Sequence, residues 1–382
     1  MQDSVNVNAS QVLSFLEVIR QELPDSRDAR GRRHSLEFPL AAVVLAVLSR
    51  CCSTSSIQRF IVERLEWLRE VTGMKDAKPL SRSYLPVFVD RINWTALAKL
   101  VRAFFDCSLD YALWVAVDGK VLRGSSRDGE REATVLAVAH GSGVEIACAP
   151  QSGVKSSEVP VVRQLLKDTG LDEGKVSLDA LHTNPQTLGQ IAQAGGTYLA
   201  QVKGNQPELL TQCCTLGIQE PLLAQLTQCD KGHGRVTTRG YTLIPLRPGT
   251  LDDRWGPCQP RYLIAVMREV FKCKTGSTSL ESAYYVTNAQ TVTDRTQQLK
   301  ELSAAVQGHW GVESNNWVRD VTLGEDGVRM KAPNQSQVMS LLRGVALTLL
   351  RKFGSTNLQA LTEKFCYSPD TLSAWLREAK FL

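Results

Sequence analysis

Three acidic residues in this sequence stand where chemistry could use them. Asp118 ends the apolar run "LWVAVD" and Asp179 follows the short run "KVSL", so two aspartates close two segments of β character. In a mixed sheet such ends can lie side by side, which brings two carboxylates within reach of one cation. Without a counter-ion they repel, and one of the two pKa values rises. A divalent metal removes the conflict, and Mg²⁺ suits a site of two or three acids completed by water and phosphate. A third acid, Glu313, lies in "HWGVESNNW", with His309 at i−4, Trp310 at i−3 and Trp317 at i+4 on one helical flank. An acid beside an imidazole and two indoles suits a cleft holding a metal, a phosphate and an unstacked base better than a solvated face. The chemistry expected is two-metal phosphoryl transfer, with the carboxylates as ligands and not nucleophiles. Each part also has a plainer reading: an aspartate at a strand end is commonly a turn or cap residue, and a His-Trp pair commonly packs an interface.

The elements that must position these residues can be read from periodicity. From Leu113 the chain gives three β-type runs, "LWVAVDG", "ATVLAVAHG" and "VEIACAPQS", the last two separated by "GSG". A helix "SEVPVVRQLLKDTGL", a strand "KVSLDAL", a helix opened by Asn184 and Pro185, and a strand "TYLAQVKG" follow, an order that predicts a mixed α/β sheet. Residues 208–295 read as a strand-rich insertion on runs such as "RVTTRGYTLIPL", "RYLIAVMREVF" and "SAYYVTNA". Helical character returns in "DRTQQLKELSAAVQGHWGVESNNW", and two more helices are predicted at "SQVMSLLRGVALTLLRKF" and "SPDTLSAWLREAKF". Residues 1–110 read as a helical region, with Ser35 as a candidate cap. Between its first two helices, "DSRDARGRRH" gathers Arg27, Arg30, Arg32, Arg33 and His34, either a solvated loop or a phosphate-contacting patch.

Length and composition narrow the setting. A chain of 382 residues exceeds what one core holds, since single cores stop growing at about 250–300 residues, and this predicts two or three packed units. The net charge of +5, from 44 Lys and Arg against 39 Asp and Glu, is compatible with nucleic acid without arguing for it. None of the ten cysteines has the two-residue gap of a zinc knuckle, which favours buried free thiols in a reducing compartment. The start "MQDSVNVNAS" lacks the pattern of a secretory signal, and the longest apolar run, "FPLAAVVLAVL", falls short of the ~20 residues a membrane span needs. A cytoplasmic location is expected.

The segments "VDGKVLRGS", "KSSEVP", "LDALHT", "YLAQVKGNQPEL", "KGHGRV", "AYYVTN", "HWGVES" and "VRDVTLGEDGVR" occur here in the order seen in bacterial insertion-sequence transposases of the ISAs or H-repeat-associated type. The resemblance runs from about residue 20 to 352, and its "LPDSRDARGRRHSLEFPLAAVVLAVLSR" is similar to the helical region those proteins carry ahead of the catalytic domain. It implies an RNase H-like core: a five-stranded mixed sheet with flanking helices, a strand-rich insertion before the last acid and a helical N-terminal domain. The divisions implied are 1–110 for DNA binding, 111–207 with 296–352 for the core, 208–295 for the insertion and 353–382 for a helical tail. By motif position Asp118, Asp179 and Glu313 would be the triad that holds Mg²⁺, or Mn²⁺ in its place. Lys120, Arg123, Lys203, Asn205, Gln206, His233, Arg235, His309 and Trp310, with Arg30, Arg32 and Arg33, would contact DNA. Glu158 would support the acids, or favour the first turn of the helix it opens. The partners implied are double-stranded DNA, at element ends and target, and further copies of the chain. The sequence departs from the family at Gln307, where an arginine is usual, at Ser314, where asparagine is usual, and by one residue fewer after Glu313, a shift of ~100° on a helix. Those departures keep in view a transposase-derived DNA-binding protein, and little in the sequence separates a transposase from a nuclease that cuts without joining.

Overall fold

The computed structural model describes residues 13–27, 32, 34–105, 113–123, 132–151, 158–232, 234–327, 329–330 and 332–382. Two compact units divide the chain: residues 1–107, 123–127 and 318–382 form one, and 108–122 with 128–317 form the other. The first is helical. It begins with α1 (Phe15–Glu22), α2 (Glu37–Leu48), α3 (Thr54–Glu63), α4 (Leu65–Thr72), α5 (Tyr84–Asp90) and α6 (Trp94–Phe104). The apolar run of α2 is buried on every side, as an all-hydrophobic helix must be. Ser35 does not cap it: the cap position is Leu36, with no side-chain bond, and Pro39 sits in the first turn.

The second unit is built on one sheet. The strands β1 (Trp114–Val121), β2 (Ala133–Ala139) and β3 (Glu145–Gln151) form an antiparallel meander. Then come α7 (Glu158–Thr169), β4 (Lys175–Leu178), α8 (Pro185–Gln193), β5 (Thr197–Val202) and α9 (Pro207–Gln219). The Asn184 side chain caps α8 by accepting from Thr187 N at 2.9 Å, with Pro185 in its first turn. Strand β4 runs parallel to β1 and β5 parallel to β4, so three strands end at the same edge. The strands β6 (Ala224–Gly232), β7 (Arg235–Pro245), β8 (Tyr262–Lys272) and β9 (Ser277–Thr287) follow, then α10 (Arg295–Gly308) and α11 (Trp310–Trp317).

The five-stranded sheet expected from the sequence is corrected to nine strands, in the order β3-β2-β1-β4-β5-β9-β8-β7-β6. The reason lies in the edge of β5. In a five-stranded sheet its outer backbone groups would be bare, and here they pair with β9 from Leu199↔Thr287 to Val202↔Tyr284. The insertion thus continues the sheet. Strand β6 was not anticipated, because an exposed edge strand of sequence "AQLTQCDKG" carries no run of apolar residues. Helix α9 likewise lay hidden at the start of a segment read as strands.

Side-chain alternation gives the sheet two faces. Val115, Val117, Val135 and Ala137 point into a core with Leu166 of α7, Leu188 of α8 and Leu209 of α9. Ala116, Leu136 and Val138 point the other way and meet Val312 of α11, while Leu199, Tyr241 and Leu243 meet Leu299 and Leu302 of α10.

The chain then returns to the helical unit. A π-helix at Val318–Thr322 leads to α12 (Pro333–Lys352), α13 (Leu358–Tyr367) and α14 (Pro369–Glu378), of which α13 was not foreseen. The apparent one-residue shortening between Glu313 and Trp317 lies within α11, which gives way to the π-helix directly after Trp317. Residues 318–352 cluster with α1–α6 and not with the sheet. Helix α12 is buried along most of its length and packs on α2, α5 and α6. Among the described residues no helix is long and apolar enough to cross a membrane, and the described cysteines are free thiols.

Candidate active site

Parallel pairing of β1 with β4 ends at Val117↔Leu178, so the next residues on the two strands are Asp118 and Asp179. Register alone makes the two aspartates neighbours at the sheet edge. Asp118 is largely buried, and its carboxyl is pushed up to about 7 by burial first, then by the negative charges of Asp179 and Glu158. Its Oδ1 accepts from Gly119 N at 2.9 Å. Asp179 also does cap work: its Oδ1 accepts from Leu181 N at 3.0 Å and His182 N at 3.4 Å, opening a short 3-10 turn at Ala180–His182.

Glu158, the first residue of α7, is 5% exposed, and His182 is 0% exposed. Their side chains meet at 3.0 Å between Oε1 and Nε2, and the same Nε2 lies 3.8 Å from Asp179 Oδ1. Glu158 thus pairs with a buried histidine that stands beside Asp179, in addition to placing a negative charge at a helix start. Gly119 makes this possible, because a Cβ there would overlap the Glu158 carboxyl carbon and both of its oxygens. His182 was missed as a site residue in the sequence. The signal was a histidine three residues after a strand-end aspartate, which spacing alone does not mark as buried.

Glu313 lies exposed on α11, beside the docked Val312. Val312 packs on Ala116, and Ala116 shares a strand face with Asp118, so Glu313 is carried on the helix that covers that face. Its charge contributes to Tyr285 of β9, whose hydroxyl is pushed up to about 12 by burial first, then by Tyr241 and Glu313. His309 caps the end of α10 and turns inward. Its Nδ1 lies 3.0 Å from Ser177 Oγ, and that hydroxyl lies 2.9 Å from Nε2 of His140. Burial pulls the His309 pKa down, against the nearby negative charge of Asp179, with Lys203 adding to the depression. Trp310 and Trp317 remain 57% and 56% exposed.

The other expected contacts scatter. Lys203 and Asn205 are exposed just past β5, and Asn205 Nδ2 donates to Ala180 O at 2.6 Å, tying that turn to the one after Asp179. Gln206 is the cap position of α9 and makes no side-chain cap bond. Arg235 is exposed at the start of β7. Lys120 is 5% exposed, and Arg123 reaches Asp326 at 3.4 Å. Arg32 donates to the carbonyls of Arg27 at 2.9 Å and Asp25 at 3.0 Å, bracing the loop it lies in. Arg30, Arg33 and His233 lie outside the described residues. Gln307, in the place of the usual arginine, donates from Nε2 to Gln228 Oε1 and, at 3.0 Å, to Tyr241 OH.

Among the described residues no set of three His, Cys, Asp or Glu side chains is gathered tightly enough to ligate one metal. The Asp118 and Asp179 pair still fits a divalent cation, because burial and the neighbouring carboxylates raise the Asp118 pKa and a cation would offset both. Magnesium is commonly held by one or two carboxylates with water and substrate phosphate.

Comparison with known proteins gives the family of the chain. Residues 114–349 match the family model described as Transposase DDE domain, and residues 19–105 match the one described as DDE_Tnp_1-associated. The chain belongs to the DDE transposases and is an enzyme that acts on DNA. Within that class it is similar to the putative transposase YncI of Escherichia coli O157:H7, at 26% identity over 90% of this chain and 88% of that one. It is also similar to the H repeat-associated putative transposase YhhI of Escherichia coli K12, at 22% identity over 86% of this chain and 88% of the relative. Among solved structures, the cryo-EM structure of the piggyBac transposase synaptic complex with hairpin DNA aligns at TM-score 0.43 and 11% identity, over 95% of this chain and 74% of that chain.

Proposed function

We propose that the chain is a Mg²⁺-dependent transposase that binds the ends of its own insertion sequence, hydrolyses a phosphodiester to free a 3′-hydroxyl, and joins that hydroxyl to target DNA. The observation that carries this reading is the pair Asp118 and Asp179, set side by side by strand register, with the Asp118 pKa raised to about 7. Two acids forced together at a sheet edge are a cation site in waiting. Glu313 is the third ligand in this reading, carried on α11. The chemistry that Mg²⁺ or Mn²⁺ supplies when bound is activation of water or a 3′-hydroxyl and stabilisation of the leaving oxygen. The chain's own part is to hold the acids: Glu158 and His182 brace the aspartates, and Asn205 holds the turn behind Asp179.

The strand order β3-β2-β1-β4-β5, with β1, β4 and β5 parallel, is what an RNase H-like core requires, and β6–β9 extend it. Lys203, Asn205 and Arg235 are exposed and suited to phosphate. Residues 1–110 would read the element ends, and two ends held together call for more than one copy of the chain.

The test is incubation of the purified chain with DNA carrying the element's ends, in Mg²⁺ and in chelator. Asp118→Asn and Asp179→Asn should each abolish cutting and spare DNA binding; full activity in either variant removes that acid from the site. A second reading rests on Gln307, which brings no positive charge to the arginine's place and is engaged with Gln228 and Tyr241. Binding without cleavage would favour a transposase-derived DNA-binding protein, and nicks without joined products would favour a nuclease.

A further inference from the structure

We propose that Ser177 is a positioning residue: its hydroxyl, held between His140 and His309, fixes the junction of α10 and α11 on strand β4 and so sets where Glu313 stands relative to Asp118 and Asp179. The inference rests on the reading of those three acids as the metal site.

Ser177 is 1% exposed in the middle of β4, two residues before Asp179 and therefore on the same strand face. A buried hydroxyl needs partners, and this one has three: His140 Nε2 at 2.9 Å, His309 Nδ1 at 3.0 Å and the carbonyl of Val115 at 3.5 Å. Each imidazole comes from a different element. His140 follows β2, and its ring stacks on Trp114 with centroids 6.5 Å apart. His309 stands one helical turn before Glu313. Between them Gly308 lets the helix end come down on the sheet, since a Cβ there would lie within 2.9 Å of three atoms of the His140 ring. The junction is therefore clamped by a close approach and by a hydrogen-bonded chain through one oxygen.

A hydroxyl carries one hydrogen and two lone pairs, so it either gives its hydrogen to the Val115 carbonyl and accepts from both imidazoles, or accepts from one imidazole and donates to the other. Burial favours the neutral form of both rings: the His140 pKa is pulled down to about 4, and that of His309 is lowered as well. The His309 nitrogen nearer the backbone is thus committed to the sheet, and α11 begins directly after it. Helix α11 thus takes its place over β1 from this tie and from Val312 together.

The experiment compares the full-length chain with its Ser177→Ala, His309→Gln, His309→Asn and Asp118→Asn variants. Mn²⁺ affinity without DNA is measured by electron paramagnetic resonance, and single-turnover cleavage on end-bearing DNA is measured alongside. An asparagine amide reaches the place of the ring nitrogen next to Cγ, whereas a glutamine amide reaches the place of the outer one. A clamp through Nδ1 therefore predicts that His309→Asn stays near the parent. Ser177→Ala and His309→Gln should bind Mn²⁺ about tenfold more weakly and cleave about 10- to 100-fold more slowly. Parent-like affinity and rate in both Ser177→Ala and His309→Gln overturns the clamp. The reverse pattern, with Gln tolerated and Asn not, also overturns it and makes His309 a direct contact through its outer nitrogen. If Ser177→Ala fails to fold, the two His309 variants decide alone. Asp118→Asn separates the failures: loss of Mn²⁺ binding there with no effect of the clamp variants rejects the clamp and leaves the metal site standing, and unchanged Mn²⁺ binding in Asp118→Asn rejects the metal site and the clamp with it.

Discussion

Asp118 shows what a single residue gives up to be at this site. In the fold it holds its proton up to about pH 7, against an ordinary value of 3.8. Between those limits the folded chain binds more protons than the unfolded chain, so this group lowers stability as pH rises. The full penalty, reached above pH 7, is roughly 4 kcal/mol. Asp118→Asn removes it. In chelator the variant should be more stable than the parent at pH 8, the difference should shrink through pH 6, and it should vanish below pH 4. Urea denaturation at three pH values measures this, and a pH-independent difference would mean that burial and the charges of Asp179 and Glu158 do not raise the Asp118 pKa. Added Mg²⁺ should reverse the order at pH 8, by stabilising only the parent.

Helix α11 decides whether the third acid belongs with the other two. Its one anchor in the small apolar cluster is Val312, 0% exposed against Ala116, Leu136 and Val138. Val312→Ala deletes two methyl groups from a site that β1 and β2 cannot collapse to fill, at an expected cost of about 2 kcal/mol. Guanidinium denaturation would show that loss, and a change below about 0.5 kcal/mol would place the helix off the sheet. The three acids could be named from the sequence, but several of the side chains around them could not. Asp118 and Asp179 announce themselves as carboxylates after apolar runs. Ser177 and His140 do not, because a serine within "KVSL" and a histidine after "AVA" look like ordinary strand residues until the helix junction arrives above them.

At the level of the whole chain, the helical unit is made from both ends of the sequence. Helix α2 is wholly buried, and it packs on α12, which lies some 290 residues later along the chain. Burial of α12 also brings in Arg319, whose guanidinium pairs twice with Glu325 at 2.9 Å and donates to Ser340, all out of solvent. A fragment of residues 1–107 would expose the face that α12 covers and leave one side of an all-apolar helix in water. Expressed alone it should show poor chemical-shift dispersion and aggregate. Supplied with residues 318–382 it should gain a cooperative melt, readable by circular dichroism. A well-folded 1–107 fragment would contradict the shared core.

The sequence by itself determined the strands and helices from Trp114 to Val202, because each has an unmixed period and a cap or turn to end it. It also determined two of the acids, because polar residues that end apolar runs stand out against their neighbours. Only the tertiary structure decided that the sheet has nine strands, since whether the edge of β5 is bare or paired depends on residues more than 80 positions away. It alone decided that the last helices join the first, and that His182, Ser177 and His140 surround the acids. Pairing register, helix docking and burial are contacts between distant residues, and local periodicity holds no record of them.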